Sequence, residues 1–177
     1  IPPCEFAGLC GGCSLQHMHS DAQIAFKQSV FVEQMEHAIG ESLAGIELLP
    51  QLRDATEHYR RKARLAIRVV SKKGGALVGF REKYSSFITV MDNCKVLVKE
   101  VADLIQPLRE LIDELEGSFD IPQIEVAVGE QRVVSEDPAN DPATSYRLRT
   151  ALVFRHLKPL SETDTDRLIA FSVSHDL

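Results

Sequence analysis

Long apolar runs, low-complexity tracts and internal repeats are all absent from this 177-residue chain. No stretch approaches the roughly 20 apolar residues of a membrane span, and no basic, apolar, small-residue leader opens it. Histidines are few, and none of His17, His19, His37, His58, His156 and His175 stands at the His-x3-His spacing of paired zinc ligands. No two carboxylates stand out as an acid and a base, and Glu33, Glu36 and the acidic stretch 110–116 read as solvated helix faces. The Gly74-Gly75 pair lacks the strand-loop-helix context of a nucleotide loop. What remains is the composition of a globular protein, 44% hydrophobic and 26% charged, expected in the cytoplasm and off the membrane. The chain opens at Ile1 without a methionine and is read as a piece of a longer protein.

Cysteine is also scarce, with four in all, yet three of them are crowded as Cys4-x5-Cys10-Gly11-Gly12-Cys13, and Cys94 lies far away. A chain of this length can bury roughly 70% of its unfolded surface, so staples are not needed for want of a core. In a reducing compartment clustered thiols read as ligands rather than disulfides. Zinc usually draws on two short Cys-x2-4-Cys knuckles, and only Cys10 and Cys13 form one. Three thiols from one loop and a fourth from afar suit a cubane iron-sulfur cluster, each iron taking one cysteine. Spacing alone leaves a cluster, a zinc site and redox or coincidental cysteines all open. The glycines suit close approach of backbone to a bulky inorganic core.

Charge is unevenly spread. The net charge is -6, but residues 58–84 hold nine basic side chains against Glu82 alone. From Tyr59 to Val70 apolar residues alternate as Ala63, Leu65, Ile67 and Val69, which predicts a strand with Arg60, Lys62, Arg64 and Arg68 on its other face. A turn at 71–75 and a second strand over 76–81 complete a β-hairpin that brings Arg81 and Lys83 near these cations. Such a stretch on an acidic body suggests a polyanion site, against the plainer reading of a solvated hairpin or of pairing with the acidic remainder. Arginine planes or Tyr59, Phe80, Tyr84 and Phe87 could stack on bases, although core packing is the preferred reading for Phe80 and Phe87.

A helix is expected over 21–38, capped by Ser20 or Asp21, and a strongly amphipathic one over 98–116, which Pro107 kinks or restarts. Further strands are expected over 87–91, 123–128, 131–135 and 148–155, the middle two forming a hairpin about Gly129-Glu130, with an acidic loop at 136–145. Ser161-x-x-Asp164 resembles a capping box and opens a last helix, 161–175. The fold class is α+β: a mostly antiparallel sheet covered by these helices, with a cysteine-rich segment at 1–20 and a central domain at 21–177 forming one structural unit.

Cys4-x5-Cys10-Gly11-Gly12-Cys13-Ser14-Leu15-Gln16-His17, Tyr59-Arg60-Arg61-Lys62-Ala63-Arg64-Leu65, Gly79-Phe80-Arg81-Glu82-Lys83 and Cys94-x-Val96-Leu97 together resemble the RNA uracil-5 methyltransferases that carry a [4Fe-4S] cluster. Within that family the likeness is to the branch acting on bacterial 23S ribosomal RNA, and it covers essentially the whole chain. The resemblance implies Cys4, Cys10, Cys13 and Cys94 as cluster ligands and 23S ribosomal RNA as partner, with no obligate protein partner. Candidate RNA contacts are Arg60, Arg61, Lys62, Arg64, Arg81, Lys83, Tyr84 and His17. Family enzymes add a cysteine thiolate to C6 of uracil, methylate C5 from S-adenosylmethionine and remove the C5 proton with a base. The nucleophile motif, the glycine-rich cofactor motif and the amino-terminal TRAM domain are not in this chain, so the expectation is RNA recognition without catalysis. The competing class is a stand-alone iron-sulfur or zinc protein in electron transfer or redox sensing.

Overall fold

A computed structural model describes residues 1–133 and 146–177. The expected acidic loop at 136–145 and the end of the strand at 131–135 lie outside the described residues. The centre is a four-stranded sheet with strands β1 (Lys62–Val70), β2 (Gly75–Gly79), β3 (Gln123–Arg132) and β4 (Tyr146–Arg155) in the order β2-β1-β3-β4. Every pairing is antiparallel, with Val70 opposite Gly75, Leu65 opposite Ile124 and Ala127 opposite Ala151. The period-2 pattern of β1 is realised: Leu65 and Ile67 are buried while Lys62, Arg64 and Arg68 face outward.

The hairpin turn between β1 and β2 is a short 3-10 turn, Ser71–Lys73, closed by Gly74 at φ 86°. Gly75 follows at φ 118°, and a Cβ there would lie 2.5 Å from a carboxylate oxygen of Asp113. The same carboxylate accepts the Ala76 N–H at 2.6 Å, so the absence of a side chain at 75 lets a helix reach the sheet edge.

The amphipathic segment forms two helices, α2 (Lys99–Ala102) and α3 (Ile105–Glu114). Pro107 sits in the first turn of α3, where no intrahelical acceptor awaits its missing N–H, so it starts the second helix rather than kinking one long one. Ile105, Leu108, Leu111 and Ile112 of α3 are buried in one cluster with Leu65, Val78, Ile124 and Val126 of the sheet. Each such side chain contributes about 1.5–3 kcal/mol relative to leaving it in water.

Four expectations are corrected. The hairpin expected about Gly129-Glu130 does not form, since β3 runs unbroken through both residues, with Gly129 opposite Arg149 and Glu130 opposite Leu148 of β4. The helix over 21–38 is present as α1 (Ser20–Ile39), with His19 rather than Ser20 or Asp21 as its cap, but it does not cover the sheet. It buries none of its residues, and Phe26, Phe31, Met35 and Ile39 stay exposed, because it packs on the turn Leu43–Gly45. The strand expected over 87–91 is reduced to a bridge between Arg81 and Ile88, since the segment turns away after Thr89 N–H meets Phe80 O at 2.9 Å. Phe87 is 60% exposed and not in the core.

The last helix, α4 (Glu162–Ser174), opens as expected: the Ser161 hydroxyl accepts the Asp164 N–H at 3.1 Å. The Asp164 carboxylate, however, reaches beyond its own helix and accepts the N–H groups of Glu116 and Gly117 at 2.9 and 2.8 Å, with Arg167 at 3.2 Å. Burial alone would raise its pKa, but these donors outweigh it and hold the group below the usual carboxylate range. A depressed folded pKa gives stability that is present above the unfolded value near 4 and is lost as pH falls through the folded one. Asp164→Asn should therefore cost about 2–3 kcal/mol at neutral pH, because one buried N–H loses its acceptor. Urea denaturation should show the gap between wild type and variant closing as pH falls below about 4.

Candidate functional site

The amino-terminal segment folds as a 3-10 turn, Glu5–Gly8, with Cys4 at its start and the Cys10 N–H donating to Phe6 O at 2.7 Å. This loop is laid against residues 81–83. Gly11 N–H donates to Arg81 O and Lys83 N–H to Leu9 O, both at 2.8 Å, and Cys10 bridges Glu82. A Cβ at Gly11 would stand 2.8 Å from Arg81 O, and one at Gly12 would stand 2.9 Å from the Phe80 ring and 3.3 Å from Cys10 Sγ. Both glycines are thus required by close approach, but to the Arg81 carbonyl and the Phe80 ring rather than to an inorganic core.

Cys94 arrives from the other side. It ends the segment that leaves Met91 and then pairs with the approach to β1, Arg60 N–H donating to Val96 O at 2.7 Å and Val98 N–H to Arg60 O at 3.1 Å. Cys4, Cys10, Cys13 and Cys94 line one small cavity walled by Phe6, Phe80, Met91 and Val96. All four are free thiols, with Cys10 and Cys94 buried and the others half-buried. Two sulfurs already accept hydrogen bonds, Cys10 Sγ from Gly12 N–H at 3.3 Å and Cys13 Sγ from Gln16 Nε2 at 3.4 Å.

Burial pushes the Cys4 thiol up, and the neighbouring Cys94 and Cys10 push it further against the Phe6 N–H, which favours the thiolate. Burial likewise raises Cys13, where the Arg60 guanidinium opposes the rise and Cys94 and Cys10 add to it. Thiols that raise one another in this way are poor nucleophiles as they stand and would ionise fully only around a shared cation. No group of three or more His, Cys, Asp and Glu among the described residues is placed to hold a single metal ion. Four free sulfurs line one cavity, with amide donors aimed at two of them, the kind of donor set that a polynuclear thiolate-bound group would need.

The cations expected to meet RNA divide into two sets. His17, Arg81, Lys83 and Tyr84 share an open cleft with Gly11, Cys13, Ser14, Ser85 and Ser86, directly beside the thiol cavity. Lys83 Nζ donates to Ala7 O at 2.6 Å and Arg81 Nη1 to Ser86 O at 2.8 Å, so both cations are held in place. Tyr84 projects into solvent from a left-handed backbone, φ 57°. Lys62 and Arg64 instead stand on the outer face of β1, where Arg64 and Arg155 both approach Glu125. Arg61 pairs with Glu130 at 2.6 Å, so part of the basic stretch is indeed answered by the acidic body. Arg60 belongs to neither set: Nη1 donates to Gly12 O at 2.9 Å, and the guanidinium lies 5.7 Å over the Phe80 ring. Phe80 is half-buried against the core, in keeping with packing. Gln16, Phe6 and Met91 complete the cavity and carry no sequence signal of that role.

The fold and site define an antiparallel α+β domain with a four-thiol cavity flanked by a basic cleft. No family model matches the chain. Curated relatives do. Over 174 residues, 98% of this chain and 36% of the relative, it is 45% identical to the 23S rRNA (uracil(1939)-C(5))-methyltransferase RlmD of Thiobacillus denitrificans. It is 42% identical to the protein of the same name from Hahella chejuensis, over 97% of this chain and 34% of that one, and 44% identical to that of Alcanivorax borkumensis, over 96% and 34%. The chain is thus homologous along nearly its whole length to one segment of these methyltransferases and spans about a third of their length.

Gly11→Ala should lower stability by about 1–3 kcal/mol in thermal or urea denaturation, because the added methyl meets a backbone oxygen that cannot turn aside. Gly8→Ala, where a Cβ meets nothing within 4 Å, should stay within about 0.5 kcal/mol.

Proposed function

We propose that this chain is the cluster-bearing, RNA-recognition part of an S-adenosylmethionine-dependent methyltransferase that forms 5-methyluridine in 23S ribosomal RNA. The observation that carries the reading is the meeting of all four cysteines, from opposite ends of a 90-residue interval, in one cavity beside a cleft that holds Arg81 and Lys83. The homology to the RlmD segment supports the substrate and the parent activity. Cys4, Cys10, Cys13 and Cys94 would hold a [4Fe-4S] cluster, which supplies a rigid covalent tie between the amino-terminal loop and the sheet. The chain's own residues do the rest: Gly12 and Gln16 donate to the ligand sulfurs, and Phe6, Phe80 and Met91 keep water from them.

RNA recognition falls to Lys62 and Arg64 on the outer face of β1 and to His17, Arg81, Lys83 and Tyr84 in the cleft. The cations neutralise phosphates, and the exposed Tyr84 ring offers a face to an unpaired base. Methyl transfer belongs to the parent polypeptide. Burial raises the half-buried Cys4 and Cys13 thiols, which disfavours the thiolate that an attack on uracil needs. Among the described residues no helix is long and apolar enough to cross a membrane, and a cytoplasmic setting suits both ribosomal RNA and reduced thiols.

Anaerobically purified full-length protein should contain about four irons and four sulfides per chain and absorb broadly in the visible, and Cys94→Ala should abolish both. Iron and sulfide both absent, with zinc stoichiometric, would sink the cluster assignment. In binding titrations with a 23S ribosomal RNA fragment, replacing Lys62 and Lys83 by alanine should reduce the slope of log affinity against log salt by roughly 0.7 for each phosphate no longer neutralised. An unchanged slope would remove these two residues from the interface.

A further inference from the structure

Arg60 stands in the middle of the basic stretch and lines a groove with Lys27, Arg53 and Tyr59, yet its own side-chain contacts go to residues that wall the thiol cavity. Its backbone pairs with Val96 and Val98, just beyond Cys94. Its side chain reaches the opposite wall, donating to Gly12 O, the carbonyl between Cys10 and Cys13. The guanidinium lies over the ring of Phe80, which itself lines the cavity. One residue thereby joins the two chain segments that supply the four thiols. It also brings a permanent positive charge to the carbonyl of the residue just before Cys13.

We infer that Arg60 is a positioning residue for the thiolate-bound cluster, its tie and its counter-cation, rather than a ligand for RNA phosphate. The structure meets three requirements of such a role. The cation is half-buried, so water screens it less than the exposed Lys62 or Arg68. Its fork is fixed, one nitrogen by a carbonyl and its plane by an aromatic face, so the charge cannot swing outward to a phosphate without giving up both. And no carboxylate pairs with it among the described residues, whereas Arg61 and Arg64 are met by Glu130 and Glu125. The charge left for it to balance is that of the sulfurs. A lysine at 60 would keep the charge but lose the planar fork, so charge and tie are separable.

This inference rests on the cluster reading proposed above, and the experiment is arranged to tell the two apart. Iron, sulfide and the visible spectrum are first measured on anaerobic full-length wild-type protein; a wild type without cluster defeats the proposed function and leaves nothing for Arg60 to position. Given a loaded wild type, Arg60→Gln and Arg60→Lys are compared with it in three respects: decay of the visible absorption in air, the cluster's midpoint potential, and the salt dependence of binding to a labelled 23S ribosomal RNA fragment. Arg60→Gln should lose its cluster several-fold faster and shift the potential to more negative values, because removing a cation disfavours the more negative reduced state. Arg60→Lys should restore the potential toward wild type while still losing cluster faster. Both should keep the wild-type salt slope. A slope reduced by roughly 0.7 with cluster lifetime and potential unchanged would make Arg60 an RNA contact and overturn the inference. Cluster properties identical to wild type in both variants would overturn it as well. Should Arg60→Gln fail to fold, Arg60→Lys alone decides through its lifetime and salt slope.

Discussion

Two backbone hydrogen bonds, Gly11 N–H to Arg81 O and Lys83 N–H to Leu9 O, govern how this molecule is put together. They lay the cysteine loop along the chain just past β2, and everything distinctive about the site follows from that register. Cys10 and Cys13 join Cys94 around one cavity, Lys83 is brought within reach of Ala7 O, and the cleft containing His17 and Tyr84 opens between loop and hairpin. The pairing depends on two residues without side chains, because a methyl at Gly11 or Gly12 would occupy the space of Arg81 O or the Phe80 ring. The loop has little core of its own, since its 3-10 turn buries no residue. Its conformation is therefore set by the hairpin it leans on and by whatever the thiols hold.

The electrostatic layout follows the same division. The sheet's inner face is uncharged and closes over α3, while its outer face and the hairpin's far end collect the cations. Some are balanced locally, Arg61 by Glu130 and Arg64 in part by Glu125; such exposed pairs are weak, about 0–1 kcal/mol, and yield readily to a phosphate. Others, Arg81 and Lys83, donate to neutral carbonyls among the described residues and keep their charge available. In the proposed function, recognition and cluster support fall to different cations in one short stretch of sequence.

Much of this is legible in the chain itself. The alternation at 63–69 places Leu65 and Ile67 inside, the apolar spacing at 105–112 identifies the helix that covers them, and the turn at 71–75 is marked by its glycines. The cysteine spacing crowds three of the thiols that the fold brings together, while the fourth, Cys94, is delivered to them only by the fold. Less legible are α1, whose apolar residues have the right period but stay exposed, and the segment 87–91, whose β-forming residues extend no strand because the chain turns to deliver Cys94. Phe87 leaves the core with that turn. Local pattern reports what a segment can bury, not whether something is there to bury it against.

Fold class, the pairing of β1 with β2 and the crowding of three thiols all follow from residue order alone, since periodicity, turn residues and cysteine spacing are local quantities. The use of each charge does not. Arg60, Arg61 and Lys62 are adjacent and chemically alike, but a carbonyl from residue 12, a carboxylate from residue 130 and open solvent surround them in turn. Asp164 shows the same rule: read locally it belongs to its own helix cap, whereas in the fold it satisfies two N–H groups nearly fifty residues away. A side chain's partner is fixed by what the register brings beside it, and that register is a property of the whole fold.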